Sequence, residues 1–317
     1  MEYEKITSSF FDDLPVLITG GAGFIGSRIV KKLVEHNARV SVLDDLSTGN
    51  LDNLDSVIDR ITFIKGDITN SDTCQAAATM QAIIFHCAAR ISVPESLDRP
   101  LEYTHTNVMG TCNVLQAAHR CRARVIFSSS AAVYGGKNDL CQEDAVCTPT
   151  SIYGLSKLIG EQYCRQYHAL YHVPSICLRY FNVYADRPSG SMYEIMHNAL
   201  RTNQPLTIFG DGTQTRDFVS LAAVVQANLA LAQLPEQYLN GQAVNIASGK
   251  SISLNELLRC MRAKSPNYTG KITYQAERPG DIRHSQADTA KLSHFLTIGE
   301  QQDEVCATPA RRFESRG

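Results

Sequence analysis

Residues 19–26 read TGGAGFIG and directly follow an apolar run, residues 14–18. The apolar run predicts a strand, and the apolar residues after Gly26 recur at helical spacing. The glycines Gly20, Gly23 and Gly26 are spaced three apart. Glycines at these places permit a tight turn and a close approach of the backbone to a pyrophosphate, which the N-terminus of the helix then faces. This stretch therefore predicts a strand–turn–helix unit that binds a dinucleotide.

An acidic residue follows at the end of the next predicted strand. Residues 39–43 form that strand, and Asp44 stands at its end. A carboxylate at this place accepts hydrogen bonds from both hydroxyls of an adenosine ribose and repels a 2′-phosphate, which favours NAD over NADP. Asp45 is adjacent, so the sequence leaves open which of the two carboxylates binds the ribose.

Composition excludes several classes of function. The net charge of −2 gives no electrostatic reason to expect nucleic acid or an anionic membrane as a partner. No apolar stretch is long enough to span a bilayer, and the N-terminus does not have the pattern of a signal peptide. The ten cysteines form no CxxC pair and the nine histidines show no ligand spacing, so we expect neither a metal site nor a disulfide framework. A reducing cytoplasm is the expected location.

Strands and helices alternate through the first half of the chain. We predict strands at 14–19, 39–44, 61–65, 82–87, 123–128 and 174–179, with helices between them, among them 101–121 and 151–171. This alternation predicts an α/β fold with a parallel sheet and helices on both faces. Beyond residue 180 the pattern is irregular, although a helix (Leu221–Leu234) and a strand (Ala243–Ile246) are expected to return to the first lobe. The predicted domains are 14–180 plus about 217–250, and about 181–216 plus 251–317.

Candidate catalytic residues follow the fifth strand. Ser130 lies just beyond its carboxyl end, where ligands bind in sheets of this kind. Tyr153 and Lys157 are four residues apart in a predicted helix and so share one face. We expect the ammonium of Lys157, together with the positive charge of an oxidised nicotinamide, to lower the pKa of Tyr153 from about 10 towards neutrality, which would make the phenol a general base for a hydroxyl group.

These residues together resemble one family. The chain is similar to the extended short-chain dehydrogenases/reductases, specifically their NAD-dependent nucleotide-sugar epimerases and dehydratases. The resemblance is carried by segments 19–27, 42–50, 66–68, 84–96, 106–118, 126–135, 153–161, 178–184, 208–219, 245–257 and 277–288. It implies a Rossmann-like doubly wound parallel sheet, a smaller discontinuous C-terminal substrate lobe, and NAD as cofactor.

The resemblance also implies residue roles. Ser130, Tyr153 and Lys157 form the catalytic triad. The implied cofactor-binding residues are Gly20, Gly23, Phe24, Ile25, Gly26, Asp44, Asp45, Leu46, Ser47, Thr48, Gly49, Asp67, Ile68, Cys87, Ala88, Ala89, Asn107 and Phe181, with Tyr153 and Lys157. The implied substrate-binding residues are Ser130, Asn182, Arg216, Arg278, Asp281 and Ser285. Arginines suit the diphosphate of a UDP-sugar. A homodimer through helices 101–121 and 151–171 is also implied.

The strand-end motif distinguishes between the reactions of the family. Its dehydratases carry Thr-Asp-Glu, whereas this chain has Ser130-Ala131-Ala132. We therefore expect a 4-epimerase: Tyr153 removes the proton of the C4 hydroxyl, NAD takes the hydride, and the 4-keto sugar turns over before reduction on its other face. Ser285 stands where epimerases restricted to plain hexoses carry a tyrosine, which favours UDP-N-acetylglucosamine or both sugars.

Two alternatives remain at this point. The first is a UDP-uronate epimerase or decarboxylase of the same family, and the second is a non-catalytic NAD-binding protein. Residues 184–188 depart from the family pattern, and this departure leaves the sugar open more than the cofactor.

Overall fold

The computed structural model describes residues 8–136, 140–185, 191–277 and 282–296. The strands are β1 (Pro15–Thr19), β2 (Arg39–Asp44), β3 (Ile61–Lys65), β4 (Ile83–His86), β5 (Arg124–Ser130), β6 (Ser175–Tyr180), β7 (Asn182–Tyr184), β8 (Leu206–Phe209), β9 (Thr215–Ser220), β10 (Asn240–Ile246), β11 (Ser251–Ser253) and β12 (Ile272–Gln275). The α-helices are α1 (Gly26–Glu35), α2 (Ser71–Ala78), α3 (Val93–Asp98), α4 (Pro100–Tyr103), α5 (Gly110–Cys121), α6 (Ile152–Tyr171), α7 (Met192–Arg201), α8 (Leu221–Ala232), α9 (Leu254–Ala263) and α10 (Ala290–Ser293). Short 3₁₀ segments cover Ser8–Phe10, Leu51–Arg60, Ala131–Tyr134 and Glu236–Tyr238.

Seven strands form one parallel sheet in the order β10-β6-β5-β4-β1-β2-β3. The strand order reverses between β1 and β4, and ligands of such sheets bind in the crevice beyond the carboxyl ends at this reversal. The doubly wound parallel sheet expected from the sequence is thereby confirmed. Two smaller sheets, β11-β9-β7 and β12-β8, complete the fold.

Alternate residues of each strand enter separate cores. Val16 and Ile18 of β1 pack with residues of α1 and α8 on one face of the sheet. Leu17, between them, packs on the other face with residues of α2, α5 and α6. Successive strand side chains point to opposite faces, so near-continuous apolar strands are what a sheet covered by helices on both sides requires.

Residues of the second half return to the large sheet. Strand β10 pairs with β6 in parallel, and α8 is buried in the same core as α1. A separate core lies between α7, α9 and β8, with Tyr193, Met196, Leu257 and Ile208 among its members. The exact domain boundaries stay a prediction from the sequence.

The helix predicted at 101–121 is present as a helical run with a wider turn inside it. Helix α4 leads into a π-helical segment, Thr104–Met109, which leads into α5. Single π-helical turns within helices are frequent at functional sites. Here the turn carries Asn107, one of the residues implied to bind the cofactor.

Three further findings bear on the sequence expectations. Within the ranges that the structure describes, no helix is both long and apolar enough to cross a membrane. In the same ranges, no cluster of His, Cys, Asp and Glu could hold a metal ion. Eight described cysteines are free thiols, but Cys260 on α9 is disulfide-bonded. The lack of a CxxC pair did not reveal this bond, because spacing along a chain does not show which residues meet in space.

Candidate active site at the carboxyl edge of the sheet

A cleft opens beyond the carboxyl ends of the sheet strands, at the reversal between β1 and β4. Most residues implied to bind the cofactor line it: Gly20, Gly23, Phe24, Ile25, Gly26, Asp44, Asp45, Ser47, Thr48, Gly49, Asp67, Ile68, Cys87, Ala88, Ala89, Tyr153 and Lys157. The remaining lining residues were not predicted from the sequence: Leu43, Gly66, Arg90, Ile91, Thr106, Ser128, Ser129 and Tyr180. The cleft therefore joins the glycine turn to two of the catalytic candidates, Tyr153 and Lys157.

The glycine turn has the shape that a dinucleotide needs. Gly20 adopts φ +68°, and a Cβ there would lie 2.6 Å from the backbone nitrogen of Ala88. A Cβ on Gly26 would collide with the carbonyl oxygen of Gly20. No side chain among the described residues caps the N-terminus of α1, which begins at Gly26. Backbone groups at Gly20 and Gly26 thus lie open at this end of the cleft, and the helix dipole of α1 suits a diphosphate.

The carboxylate of Asp44 lies at the far end of β2, and only 6% of the residue is exposed. Its Oδ2 accepts a hydrogen bond from the backbone of Ala22 (2.9 Å), and its Oδ1 accepts one from that of Leu46 (2.8 Å). Burial raises the pKa of Asp44 despite these two bonds. Asp45 also lines the cleft, so the structure leaves both carboxylates as candidates for the ribose. Leu46 contributes through its backbone and does not line the cleft.

The three catalytic candidates come together. Ser130 ends β5, and its hydroxyl lies close enough to the phenol of Tyr153 to lower the pKa of that phenol. The hydroxyl oxygen also accepts a bond from the backbone nitrogen of Ala132 at 3.2 Å. Lys157, one turn after Tyr153 on α6, donates from Nζ to the carbonyl oxygen of Ser128 at 2.9 Å. A serine–tyrosine contact beside a buried lysine is suited to moving a proton to and from a hydroxyl group.

The expected lowering of the pKa of Tyr153 is not found. Burial raises the pKa of Tyr153, and the hydroxyl of Ser130 opposes this shift only in part. Burial also lowers the pKa of Lys157 to about 8. For the protein alone the prediction was wrong, because it counted the attraction between ammonium and phenolate but not the loss of hydration, and the Nζ of Lys157 is bonded to the carbonyl of Ser128.

A buried histidine, His86, lies next to the cleft. The Nδ1 of His86 is 2.7 Å from the hydroxyl of Thr19, and its Nε2 is 3.0 Å from the hydroxyl of Thr111. Thr111 donates to the carbonyl of Asn107, so it must accept from Nε2–H, which leaves Nδ1 to accept from Thr19. The Thr19 oxygen accepts in turn from the backbone of Ala88 (3.4 Å). Burial lowers the pKa of His86 to about 3, so the ring is neutral.

Asn107 does not line the cleft, but its side chain binds a residue that does. Its amide binds both backbone groups of Arg90, accepting from N at 2.8 Å and donating to O at 2.9 Å. It also donates to the hydroxyl of Ser156 on α6 at 2.9 Å. Asn107 therefore connects Arg90, a residue that lines the cleft, to helix α6. Phe181, also implied to contact the cofactor, is buried and packs near the ring of Tyr134, 6.2 Å between centroids.

The residues implied to bind substrate lie around β7 and β9. Asn182 on β7 donates from Nδ2 to the carbonyl of Asp217 at 3.1 Å. Arg216 precedes Asp217 on β9, and Ser285 is 7% exposed. Arg278 and Asp281 lie outside the described residues. The structure thus brings Asn182 and Arg216 onto adjacent strands of one small sheet.

Comparisons with known proteins agree with this geometry. Residues 16–247 match the model of the NAD dependent epimerase/dehydratase family. A putative UDP-glucose 4-epimerase of Methanocaldococcus jannaschii is 37% identical over 284 residues, covering 87% of this chain and 90% of that protein. The structure of a UDP-N-acetylglucosamine 4-epimerase from Methanobrevibacter ruminantium M1, in complex with UDP-N-acetylmuramic acid, is similar with a TM-score of 0.85 at 31% identity, covering 93% of this chain and 95% of that one. A UDP-glucuronic acid 4-epimerase of Bacillus cereus, in complex with UDP-glucuronic acid and NAD, has a TM-score of 0.84 at 29% identity, with coverages of 90% and 95%.

Proposed function

The chain belongs to the NAD-dependent epimerase/dehydratase family, and on that premise we propose that it inverts C4 of a UDP-sugar, either UDP-N-acetylglucosamine, UDP-glucose or both. One observation carries the proposal. Tyr153, whose phenol faces the hydroxyl of Ser130, lines the same cleft as the backbone cradle around Gly20, and the strand-end motif lacks the acidic pair that dehydratases use.

The cofactor fits the residues present. The crowding at Gly20 and Gly26 leaves room for backbone only, which suits the diphosphate of NAD, and Asp44 or Asp45 would hold its adenosine ribose. NAD, when bound, accepts the hydride of C4 and later returns it. Lys157 lines the same cleft and would bind the nicotinamide ribose.

The protein residues handle the proton. Tyr153 would take the proton of the C4 hydroxyl as general base and give it back as general acid, while Ser130 hydrogen-bonds the reacting oxygen. The buried ammonium of Lys157 and the positive charge of an oxidised nicotinamide would together favour the phenolate form of Tyr153 once NAD is bound. Inversion requires that both faces of C4 be presented in turn, so affinity must reside in the UDP half. Asn182 and Arg216, with Arg278 and Asp281, are the proposed anchors of that half.

The sugar is proposed from the size of one side chain. Ser285 is small and buried, and by the family resemblance it stands where epimerases restricted to plain hexoses carry a tyrosine. A serine there leaves room for a 2-acetamido group, which favours UDP-N-acetylglucosamine over a strict preference for UDP-glucose.

A panel of sugars tests the function. The purified protein is incubated with UDP-glucose, UDP-N-acetylglucosamine and the two corresponding uronic acids, and the products are resolved by NMR. Formation of the C4 epimer of a neutral sugar is the expected result. Epimerisation restricted to a uronate would move the assignment to a uronate 4-epimerase, and release of carbon dioxide would identify a decarboxylase. No turnover of any sugar by NAD-loaded protein would refute an enzymatic role.

We propose a homodimer as the working assembly. Exposed apolar side chains lie along the π-containing helical run and α6, among them Leu101 (83% exposed), Met109, Leu155 and Leu170 (65% exposed). Burying them against a second copy would remove apolar surface from water. Sedimentation equilibrium of the NAD-bound protein tests this, and a monomer at micromolar concentration would refute it. A cytoplasmic location stays a prediction from the sequence.

A further inference from the structure

Three consecutive residues at the end of β5 each face a different turn of α6. The hydroxyl of Ser130 acts on the phenol of Tyr153, and the carbonyl of Ser128 accepts a hydrogen bond from Lys157. Ser129, between them, donates from Oγ to Oε1 of Glu161 at 2.5 Å. Tyr153, Lys157 and Glu161 are spaced four apart, so they lie on one face of α6. Two of these three contacts belong to the catalytic candidates, whereas the third belongs to a residue with no assigned role.

Glu161 is one half of a fully buried ion pair. Its Oε1 accepts from Nε of Arg179 at 2.9 Å, and its Oε2 accepts from Nη2 at 2.7 Å. Both side chains are 3% exposed. Arg179 on β6 is the register partner of Ser129, so the pair bridges two strands and the helix at one level of the sheet. A bidentate pair of this kind fixes both the distance and the orientation of its members.

The arginine also holds the segment that follows Ser130. Nη1 of Arg179 donates to the phenol oxygen of Tyr134 at 2.8 Å, and the guanidinium lies 4.7 Å from the centre of the Tyr134 ring. Tyr134 ends the 3₁₀ turn that begins directly after Ser130. Through Ser129 on one side and Tyr134 on the other, the ion pair fixes the backbone on both sides of the catalytic serine.

The carboxylate acts on Lys157 as well. Burial lowers the pKa of Lys157, and the negative charge of Glu161, one turn further along α6, opposes that shift. The other titratable groups that act electrostatically on this ammonium or are acted on by it are Cys87 and His86 at the end of β4, and Cys164 on α6. Among them, Glu161 is the group whose charge is held in place by a buried partner.

We propose that Glu161 and Arg179 are positioning residues of the reaction: the pair sets the place of the Ser130 hydroxyl relative to Tyr153 and helps keep Lys157 charged. This inference rests on the proposed epimerase activity. Neither residue lines the cleft, so neither is expected to contact substrate.

The test separates position from charge with two variants. The double variant Glu161→Met with Arg179→Met removes both charges at similar volume, a change that buried pairs often tolerate without loss of folding. We expect kcat to fall about 10- to 100-fold, as for small misplacements of catalytic groups. The KM for the UDP-sugar and the NAD affinity by calorimetry should stay within about threefold of wild type. The alkaline limb of the kcat–pH profile should move to lower pH.

Ser129→Ala removes only the bond between the strand and Glu161 and leaves the ion pair in place. It should lower kcat about fivefold or more without moving the alkaline limb, because the charge beside Lys157 is retained. This variant decides the question even if the double variant does not fold. The matched control is Lys32→Met with Glu35→Met, an exposed ion pair of 2.8 Å on α1, which should leave kcat unchanged.

The outcomes separate this inference from the activity on which it rests. A wild-type protein without epimerase activity on any UDP-sugar would refute the proposed function. An active wild type with Ser129→Ala at full kcat would overturn the positioning role. A folded double variant whose alkaline limb coincides with that of wild type would overturn the electrostatic part.

Discussion

Asp217 offers the most quantitative test of the electrostatics of this protein. The residue is fully buried on β9. Its Oδ1 accepts from the backbone nitrogen and hydroxyl of Ser248 at 2.9 and 2.7 Å. Its Oδ2 accepts from the backbone nitrogens of Gly249 (3.0 Å) and Ala287 (3.2 Å). One carboxylate therefore ties three segments together next to Asn182, which donates to its backbone carbonyl.

The magnitude follows from its titration. Burial raises the pKa of Asp217 from 3.8 to about 6, and the four hydrogen bonds offset this only in part. The unfolded chain loses the proton near pH 4 and the folded chain near pH 6. The contribution to stability is thus fully present below pH 4 and is lost as the pH rises through 6. Two pH units correspond to about 3 kcal/mol of unfolding free energy, at about 1.4 kcal/mol per unit.

Asp217→Asn keeps the size of the side chain and removes the titration. We expect the difference in stability between wild type and variant to change by about 3 kcal/mol between pH 4 and pH 7, in the sense that wild type loses stability. In thermal unfolding this corresponds to a change of about 4 °C in the difference between the Tm values of the two proteins, for a chain of this length. Circular dichroism of both proteins at a series of pH values measures it.

Two features make the outcome decisive. Other carboxylates with raised pKa values, Asp44 and Glu143, are present in both proteins, so their contributions cancel in the difference. Asp59→Asn, an exchange at an exposed position, serves as the control variant. If Asp217→Asn shows the same pH dependence as wild type, the reasoning from burial is refuted.

Three further predictions concern the cleft. Tyr153→Phe should lower turnover about 10²- to 10⁴-fold while NAD stays bound, which product NMR and calorimetry check together; retained epimerase activity would remove Tyr153 from the role of base. Gly26→Ala should weaken NAD binding about 10- to 100-fold, because its Cβ would overpack against Gly20, whereas Gly136→Ala, with no described atom within 4 Å of the added carbon, should bind normally. Ser285→Tyr should lower kcat/KM for UDP-N-acetylglucosamine about 10- to 100-fold relative to UDP-glucose, and an unchanged ratio would contradict the assignment of sugar size.

Local pattern predicted the large sheet well because its strands are apolar runs bounded by turns. Strand β1 was expected at 14–19 and lies at Pro15–Thr19. The π-helical turn at Thr104–Met109 was not predicted, since the residues around it have ordinary helical spacing. Asn107 lies in this turn, and its side-chain amide binds Arg90 and Ser156, which are distant in sequence. A wider turn in contact with such partners cannot be read from nearest neighbours.

Residues of the candidate site were predictable where one short sequence motif supplies several of them. They were less predictable where strand pairing brings residues together from distant parts of the chain. The glycine turn and the Tyr153–Lys157 pair are each local. Tyr180 enters the cleft only because β6 pairs with β5, where it contacts the hydroxyl of Ser128 at 3.1 Å. The pKa of Tyr153 was mispredicted for the same reason, because the extent of burial is a property of the whole fold and not of a four-residue spacing.

The chain of groups through His86 has a consequence for turnover. The hydroxyls of Thr19 and Thr111 each donate one hydrogen bond and accept one, so all the hydrogen bonds of this chain run in the same direction. Reversing one of them would require all the others to reverse. The hydrogen bonds of Thr19, His86 and Thr111 therefore keep the same direction at any pH well above 3. Protons can be exchanged in the cleft above it while this underlying ring keeps the same tautomer from cycle to cycle.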